Sequence, residues 1–256
     1  MKLAHVADLH FGAALPEVMA AAREEILRSG ADALIVSGDV TQRGKRSEFD
    51  SARAWVDDIG LPALVVPGNH DTPLLNMHAR TLEPFARYTE YFGDLTRPLS
   101  IDAARIYPLN TARGWQARHN WAEGVVNLSD LQATIDAEED SPHPRLIACH
   151  HPFKSLQGAP LRTRTKRGDR ASKHLAASSI DALLTGHVHT PHVEEVSEGG
   201  GQYLAISAGT LSTRLRNTPP SLNLIDLQTE EITVTSVLYR TGSFEAVSPV
   251  RYALLQ

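Results

Sequence analysis

One cysteine, Cys149, stands in 256 residues, so no disulfide can close within the chain and a reducing, cytoplasmic setting is expected. No apolar run approaches the roughly 18 residues that cross a bilayer. The run from Leu3 is cut by His5, Asp8 and His10, so neither a secretory leader nor a membrane span is expected. Positive charge is in deficit: 25 Lys and Arg face 30 Asp and Glu, a net −5, which argues against a partner that is a nucleic-acid polymer. Internal repeats, low-complexity stretches and breaks in composition are also missing, which leaves one domain over 1–256 as the expectation. What is present is an ordinary globular mixture, 42% hydrophobic and 21% charged, enough to bury a substantial core.

The apolar residues come in short runs. Lys2 to Ala7, Ala33 to Val36 and Leu64 to Val66 read as buried strands, and helical periodicity lies between them over Glu17–Ser29 and Ser47–Ile59, with Ser47 as a cap. This β-α-β-α-β order predicts parallel strands with right-handed crossovers. Further on, helices are expected over Thr81–Phe92 and from Ser129, as a cap, to about Glu139. Strands are expected at Arg105–Leu109, Arg145–Cys149 and Ile180–Leu184. From Val193 onward, Val193–Val196, Tyr203–Ser207, Leu222–Ile225, Ile232–Leu238 and Phe244–Val247 alternate as antiparallel strands do, and a second sheet packed on the first is the simplest assembly.

Polar clusters follow five of these runs: Asp8-Leu9-His10, Gly38-Asp39, Pro67-Gly68-Asn69-His70-Asp71, His150, and Gly186-His187-Val188-His189. In parallel α/β sheets, ligands bind beyond the carboxyl ends of the strands, where all five clusters fall. Asp8 and His10 are two apart, as are His187 and His189, so on an extended strand end each pair points to one side. Asp39, on the turn allowed by Gly38, has two oxygens to offer two ions, and Asn69 adds a neutral oxygen. Seven donors of mixed oxygen and nitrogen type suit two ions of the Mn, Fe, Zn or Co kind. Two such ions about 3.5–4 Å apart activate a bridging hydroxide for in-line phosphoryl displacement.

The ordered set Asp8-x-His10, Gly38-Asp39, Gly68-Asn69-His70-Asp71, His150 and Gly186-His187-x-His189 resembles the calcineurin-like metallophosphoesterase superfamily, and within it the bacterial class III cyclic-nucleotide phosphodiesterase and glycerophosphodiesterase branch. The resemblance implies an α/β fold, a four-layer α/β/β/α sandwich of two mixed β-sheets flanked by helices. It implies that Asp8, His10 and His189 bind one metal, that Asn69, His150 and His187 bind a second, and that Asp39 bridges them. His70 then faces the phosphate as a catalytic group and not as a ligand. One departure is informative. Phosphoprotein phosphatases carry an Asp three residues after the Asp of the Gly-Asp pair, and it orients the catalytic His; Gln42 occupies that place here, which leans toward small phosphodiesters.

Arg214 and Arg216, after Gly209-Thr210, and His78 are candidates for substrate binding; His119 and His151 are further candidates to line a pocket. Leu161 to Lys173 carries Arg162, Arg164, Lys166, Arg167, Arg170 and Lys173, a candidate basic flap for anionic substrate. Cys149 reads as a small buried residue, and the aliphatic strands after Gly201 offer an edge for a homo-oligomer. The expected activity is hydrolysis of small phosphodiesters. The alternatives are a phosphomonoesterase, a DNA nuclease of the break-repair branch (set against by the −5 charge and 256 residues) and a non-catalytic scaffold, which has no need of a complete ligand set.

Overall fold

The computed structural model describes residues 1–74, 76–101, 104–116, 120, 122–138, 144–155 and 165–254. Apolar alternation builds three strands, β1 (Lys2–Val6), β2 (Ala33–Ser37) and β3 (Ala63–Val66), linked by α1 (Pro16–Arg28) and α2 (Arg46–Ile59). These strands are parallel. Leu3, Ile35 and Leu64 point to one face of the sheet, and Ala4, Leu34 and Val36 to the other. Then come α3 (Met77–Leu82), α4 (Ala86–Phe92), β4 (Leu99–Ile101), β5 (Ala104–Pro108), α5 (Leu128–Glu138), β6 (Arg145–Ala148), α6 (Gly168–Ala176) and β7 (Ala182–Thr185). The chain ends with β8 (His192–Glu198), β9 (Gly201–Ser207), β10 (Ser221–Leu227), β11 (Glu231–Arg240), β12 (Ser243–Ala246) and β13 (Val250–Ala253).

Two mixed sheets result, with strand orders β12-β11-β10-β1-β2-β3 (β13 also pairing with β11) and β4-β5-β6-β7-β9-β8. Leu3, Ile35, Val66, Ile106, Leu146, Leu184 and Ile206 fill the space between the sheets. The outer face of the first sheet packs on α1, α2 and α4 through Val18, Ile26, Phe49, Val56 and Tyr88. That of the second packs on α5 and α6 through Leu131, Ile135 and Leu175. This is an α/β/β/α sandwich.

The elements depart from the sequence pattern in four places. The strands after His189 do not form a sheet of their own. β8 and β9 extend the second sheet, β9 lying parallel to β7, while β10 pairs antiparallel with β1 and brings β11 to β13 into the first. Each open edge of a buried parallel sheet needs main-chain partners, and these late strands supply them. The helix expected over Thr81–Phe92 is two short helices, because Pro84 lacks a donor and forces Glu83 out of helical geometry (φ −139°). Ser47 and Ser129 lie inside helices and do not cap them. Asn127 Oδ1 accepts from the Ser129 amide and hydroxyl at the start of α5, and Glu48 accepts from the amides of Arg43 and Lys45 before α2. Two short strands, β4 and β13, carry too little alternation to be read from sequence.

Candidate metal centre

β1, β2, β3, β6 and β7 all end at one rim of the paired sheets, and the loops that follow them carry Asp8 and His10, Asp39, Asn69 and His70, His150, and His187 and His189. The two-residue spacing does not work through extended strand. Asp8, His10, Asp39, His187 and His189 have φ between 44° and 71°, so the pairs converge by left-handed turns beyond the strand ends. Of eight non-glycine residues with positive φ among the described residues, these are five. Each costs on the order of 1 kcal/mol, and such strain collects where function holds a side chain in place.

Three glycines allow the loops to meet. A Cβ on Gly68 would lie 2.0 Å from Asp39 Oδ1, one on Gly38 2.4 Å from His150 Nδ1, and one on Gly186 2.7 Å from Asp8 Oδ2. The carboxylate of Asp71, fully buried, ties the loops together by accepting from the amides of Val40, Thr41 and Gly68 and from the Thr41 hydroxyl. Burial, and after it the charge of Asp39, pushes the Asp71 carboxyl up to about 7.

Asp8 Oδ1, His10 Nε2 and His189 Nε2 form one group, with His189 3.1 Å and His10 3.7 Å from the carboxylate oxygen. The Asp39 Oδ2 atom lies 3.7 Å from His10 Nε2 on one side and 3.4 Å from His150 Nε2 on the other. Its Oδ1 accepts the His70 amide at 2.8 Å. Asp39 Oδ2 therefore sits between the two halves of the site. The His187 and His150 rings are 5.2 Å apart, and the His187 amide donates to Asp8 Oδ2.

The free atoms match a metal centre. His189 Nδ1 is turned to the Arg214 carbonyl and His150 Nδ1 to the Ser37 carbonyl, which fixes each ring with Nε2 facing inward. Asp8 Oδ1, Asn69 Oδ1 and His150 Nε2 are buried without a hydrogen-bond partner. Two buried carboxylates have no solvent here to satisfy them, and metal cations would supply the missing charge. Burial alone would raise both carboxyls, but the facing histidines, His189 at Asp8 and His150 at Asp39, hold them below the usual range. Burial would lower His150, yet Asp39 carries it up to about 9; burial and His150 push His187 down to about 3.

His70 stands at the edge of a cavity of about 280 Å³ whose lining includes Asp39, Asn69, His187, Arg214 and Arg216. Its Nδ1 is 2.8 Å from the Gln42 carbonyl and its Nε2 2.8 Å from Arg214 Nη1. The orienting contact that an Asp makes in phosphoprotein phosphatases is thus made by the main chain of Gln42. The sequence offers Arg214 as a substrate residue but carries no signal of its contact with His70, which joins residues 144 positions apart. His151 lines the same cavity, with both nitrogens engaged by Thr111 and by the Ala122 carbonyl, so it has no donor atom left for a metal. His78 is exposed on α3 and does not line the cavity. His119, and Arg162 and Arg164 of the basic stretch, lie outside the described residues; of the rest, Thr165 reaches the cavity, and Gly168 to Lys173 belong to α6. Cys149 is buried, and burial holds its thiol well above the ordinary range.

No helix among the described residues is long and apolar enough to cross a membrane. The chain is 22% identical over 236 residues to a probable cyclic nucleotide phosphodiesterase of Synechococcus, an alignment that covers 87% of this chain and 84% of the relative. It is 34% identical over 179 residues to the glycerophosphodiester phosphodiesterase GpdQ of Enterobacter lignolyticus, covering 63% of this chain and 60% of that one. Among solved structures, a dimetal phosphatase from Danio rerio superposes with a TM-score of 0.69 at 11% identity (99% and 98% coverage). The yellow lupin purple acid phosphatase PPD1 gives 0.74 at 11% identity, over 99% of this chain and 53% of that one. These two likenesses concern the fold. The family profile described as calcineurin-like phosphoesterase matches residues 1–191, and with the fold and the ligand clusters in place the chain belongs to that family as a metal-dependent phosphoesterase.

Proposed function

We propose that this protein hydrolyses small phosphodiesters, of the cyclic-nucleotide or glycerophosphodiester type, at a dinuclear centre within one domain of the cytoplasm. The observation that carries the reading is the position of Asp39 Oδ2, between His10 Nε2 of one donor group and His150 Nε2 of the other. Asp8, His10 and His189 would hold one ion and Asn69, His150 and His187 the other, with Asp39 shared. Two ions of the Mn, Fe, Zn or Co kind supply an acidified water and positive charge for the phosphoryl oxygens.

The chain's own residues do the rest. The Ser37 and Arg214 carbonyls hold His150 and His189 in the tautomer that presents Nε2. The backbone of Gly68 to Asp71, clamped by Asp71, keeps Asn69 and His70 at the cavity wall. His70 and Arg214 face the position a phosphoryl group would take, where charge develops in the transition state. Names borne by similar proteins, both of phosphodiesterases, support the diester class. A phosphomonoesterase reading draws on the two arginines in the cavity, since a dianion gains more from them than a monoanion does.

Metal-stripped protein reloaded with Mn²⁺ separates the two on bis(p-nitrophenyl) phosphate and p-nitrophenyl phosphate. Faster turnover of the diester, lost in Asn69→Ala, is the expected result. A preference for the monoester would move the assignment to phosphatase, and activity that survives the variant would remove Asn69 from the centre.

A further inference from the structure

His70 is held at both nitrogens by groups whose roles are unambiguous. A carbonyl only accepts, so the Gln42 oxygen at 2.8 Å requires a proton on Nδ1. A guanidinium only donates, so Arg214 Nη1 at 2.8 Å requires a lone pair on Nε2. With Nε2 occupied in this way, His70 has no free edge for a substrate oxygen. Arg214 Nη1 also reaches Gln42 Oε1 at 3.5 Å, and its Nε and Nη2 make no hydrogen bond among the described residues, although the residue lines the cavity.

The main chain that carries Arg214 is fixed. Thr210 Oγ1 donates to the Asp8 carbonyl and pairs with Ser212 Oγ, Ser212 Oγ accepts the Arg214 amide, and the Arg214 carbonyl accepts from His189 Nδ1. The loop is anchored to the metal-side residues, and the guanidinium is the part left to turn.

We propose that Arg214 is a positioning residue that latches His70. Its guanidinium, with the Gln42 carbonyl at the other nitrogen, holds the ring's orientation while the cavity contains no anion, and turns to a phosphoryl oxygen when substrate enters, which leaves Nε2 already aimed at the reacting group. A carboxylate at position 42 would hold the guanidinium as an ion pair. The neutral Gln42 side chain offers only a long contact and leaves the cation free to move. The inference rests on the phosphodiesterase reading for its kinetic arm alone.

The kinetic arm is a double-mutant cycle on the diester with His70→Asn and Arg214→Gln, and Arg214→Lys beside it. If Arg214 acts through His70, each single variant lowers kcat by about 100-fold and the double variant falls no further than His70→Asn. Arg214→Lys restores KM, because the charge returns, but not kcat, because Nζ stands one bond short of the Nη1 position that meets His70 and Gln42. Effects that multiply, or a loss in KM alone, would overturn the latch and leave Arg214 as a phosphate clamp. The second arm needs no turnover. In ¹⁵N-histidine-labelled, Zn²⁺-loaded protein, His70 shows a protonated Nδ1 and a bare Nε2, and orthophosphate shifts Nε2 in the wild type but not in Arg214→Gln. The same shift in both proteins would refute the latch even if no diester were ever turned over.

Discussion

The amide of His70 donates to Asp39 Oδ1 at 2.8 Å, so the residue after Asn69 sets the rotation of the carboxylate that lies between the two donor groups. This contact leaves Oδ2 alone to face His10 and His150. The loop after β3 and the loop after β2 are therefore one unit, and the close approach of Gly68 to Asp39 is what permits it.

Gly68→Ala should disable the centre. Its Cβ would lie 2.0 Å from Asp39 Oδ1 and 2.4 Å from the Asp39 amide, and backbone cannot move aside as a flexible side chain does. Gly60 at the end of α2 is the control, with φ 72° and no atom within 4 Å of its added Cβ. Gly60→Ala is expected to cost about 1 kcal/mol of stability and to leave Mn²⁺ binding unchanged. Gly68→Ala is expected to weaken Mn²⁺ binding at least tenfold by calorimetric titration. Equal affinities in the two variants would contradict the packing argument.

Metal should stabilise the fold. A ligand at 100 times its Kd adds about 2.7 kcal/mol, which for a chain of this size raises Tm by roughly 5–10 °C. Scanning calorimetry of EDTA-dialysed protein with and without Mn²⁺ tests this, and Asp39→Asn should lose most of the increment. A variant that keeps the full shift would mean that the ion binds elsewhere.

Acid should unfold the protein partly through His5. Its ring is fully buried with Nε2 on the Ser37 hydroxyl, and burial pushes it down to about 3 against a smaller opposing pull from Asp8. The folded state keeps His5 neutral down to that pH, while the unfolded chain takes up the proton below its ordinary 6.5. Between pH 6.5 and 3 the unfolded state binds more protons, so stability falls as pH falls, by up to about 1.4 kcal/mol per unit from this group. Urea midpoints at pH 7 and pH 5 should therefore differ less in His5→Gln than in the wild type. His151 and His187, also lowered by burial, retain part of the slope.

Asn127 should matter more to α5 than Ser129. Asn127 Oδ1 takes both the amide and the hydroxyl of Ser129, and loss of such a cap costs about 1 kcal/mol. Asn127→Ala should lower the denaturation midpoint accordingly, and Ser129→Ala by less. The reverse order would restore Ser129 as the cap.

Much of this molecule could be read along the chain. Short apolar runs such as Ala33-Leu34-Ile35-Val36 mark buried strands because a residue pattern of that length and character has few other ways to hide from water. The polar residues after those runs then mark one rim, because parallel strands point their carboxyl ends the same way. Asp8, His10, Asp39, Asn69, His150, His187 and His189 were legible for that reason.

Local residue patterns carry the inventory: which strands are buried, which donors follow them, and which family the ordered motifs resemble. How that inventory is used depends on contacts between distant parts of the chain. The left-handed turns at Asp8 and His187, the choice of Oδ2 at Asp39 and the division of the late strands between two sheets have no local signal, since each is set by atoms far away in the chain. The contact of Arg214 with His70 is of the same kind. A hydrogen bond across 144 residues exists because β9 and β10 belong to different sheets, and the loop between them must cross the rim where His70 stands.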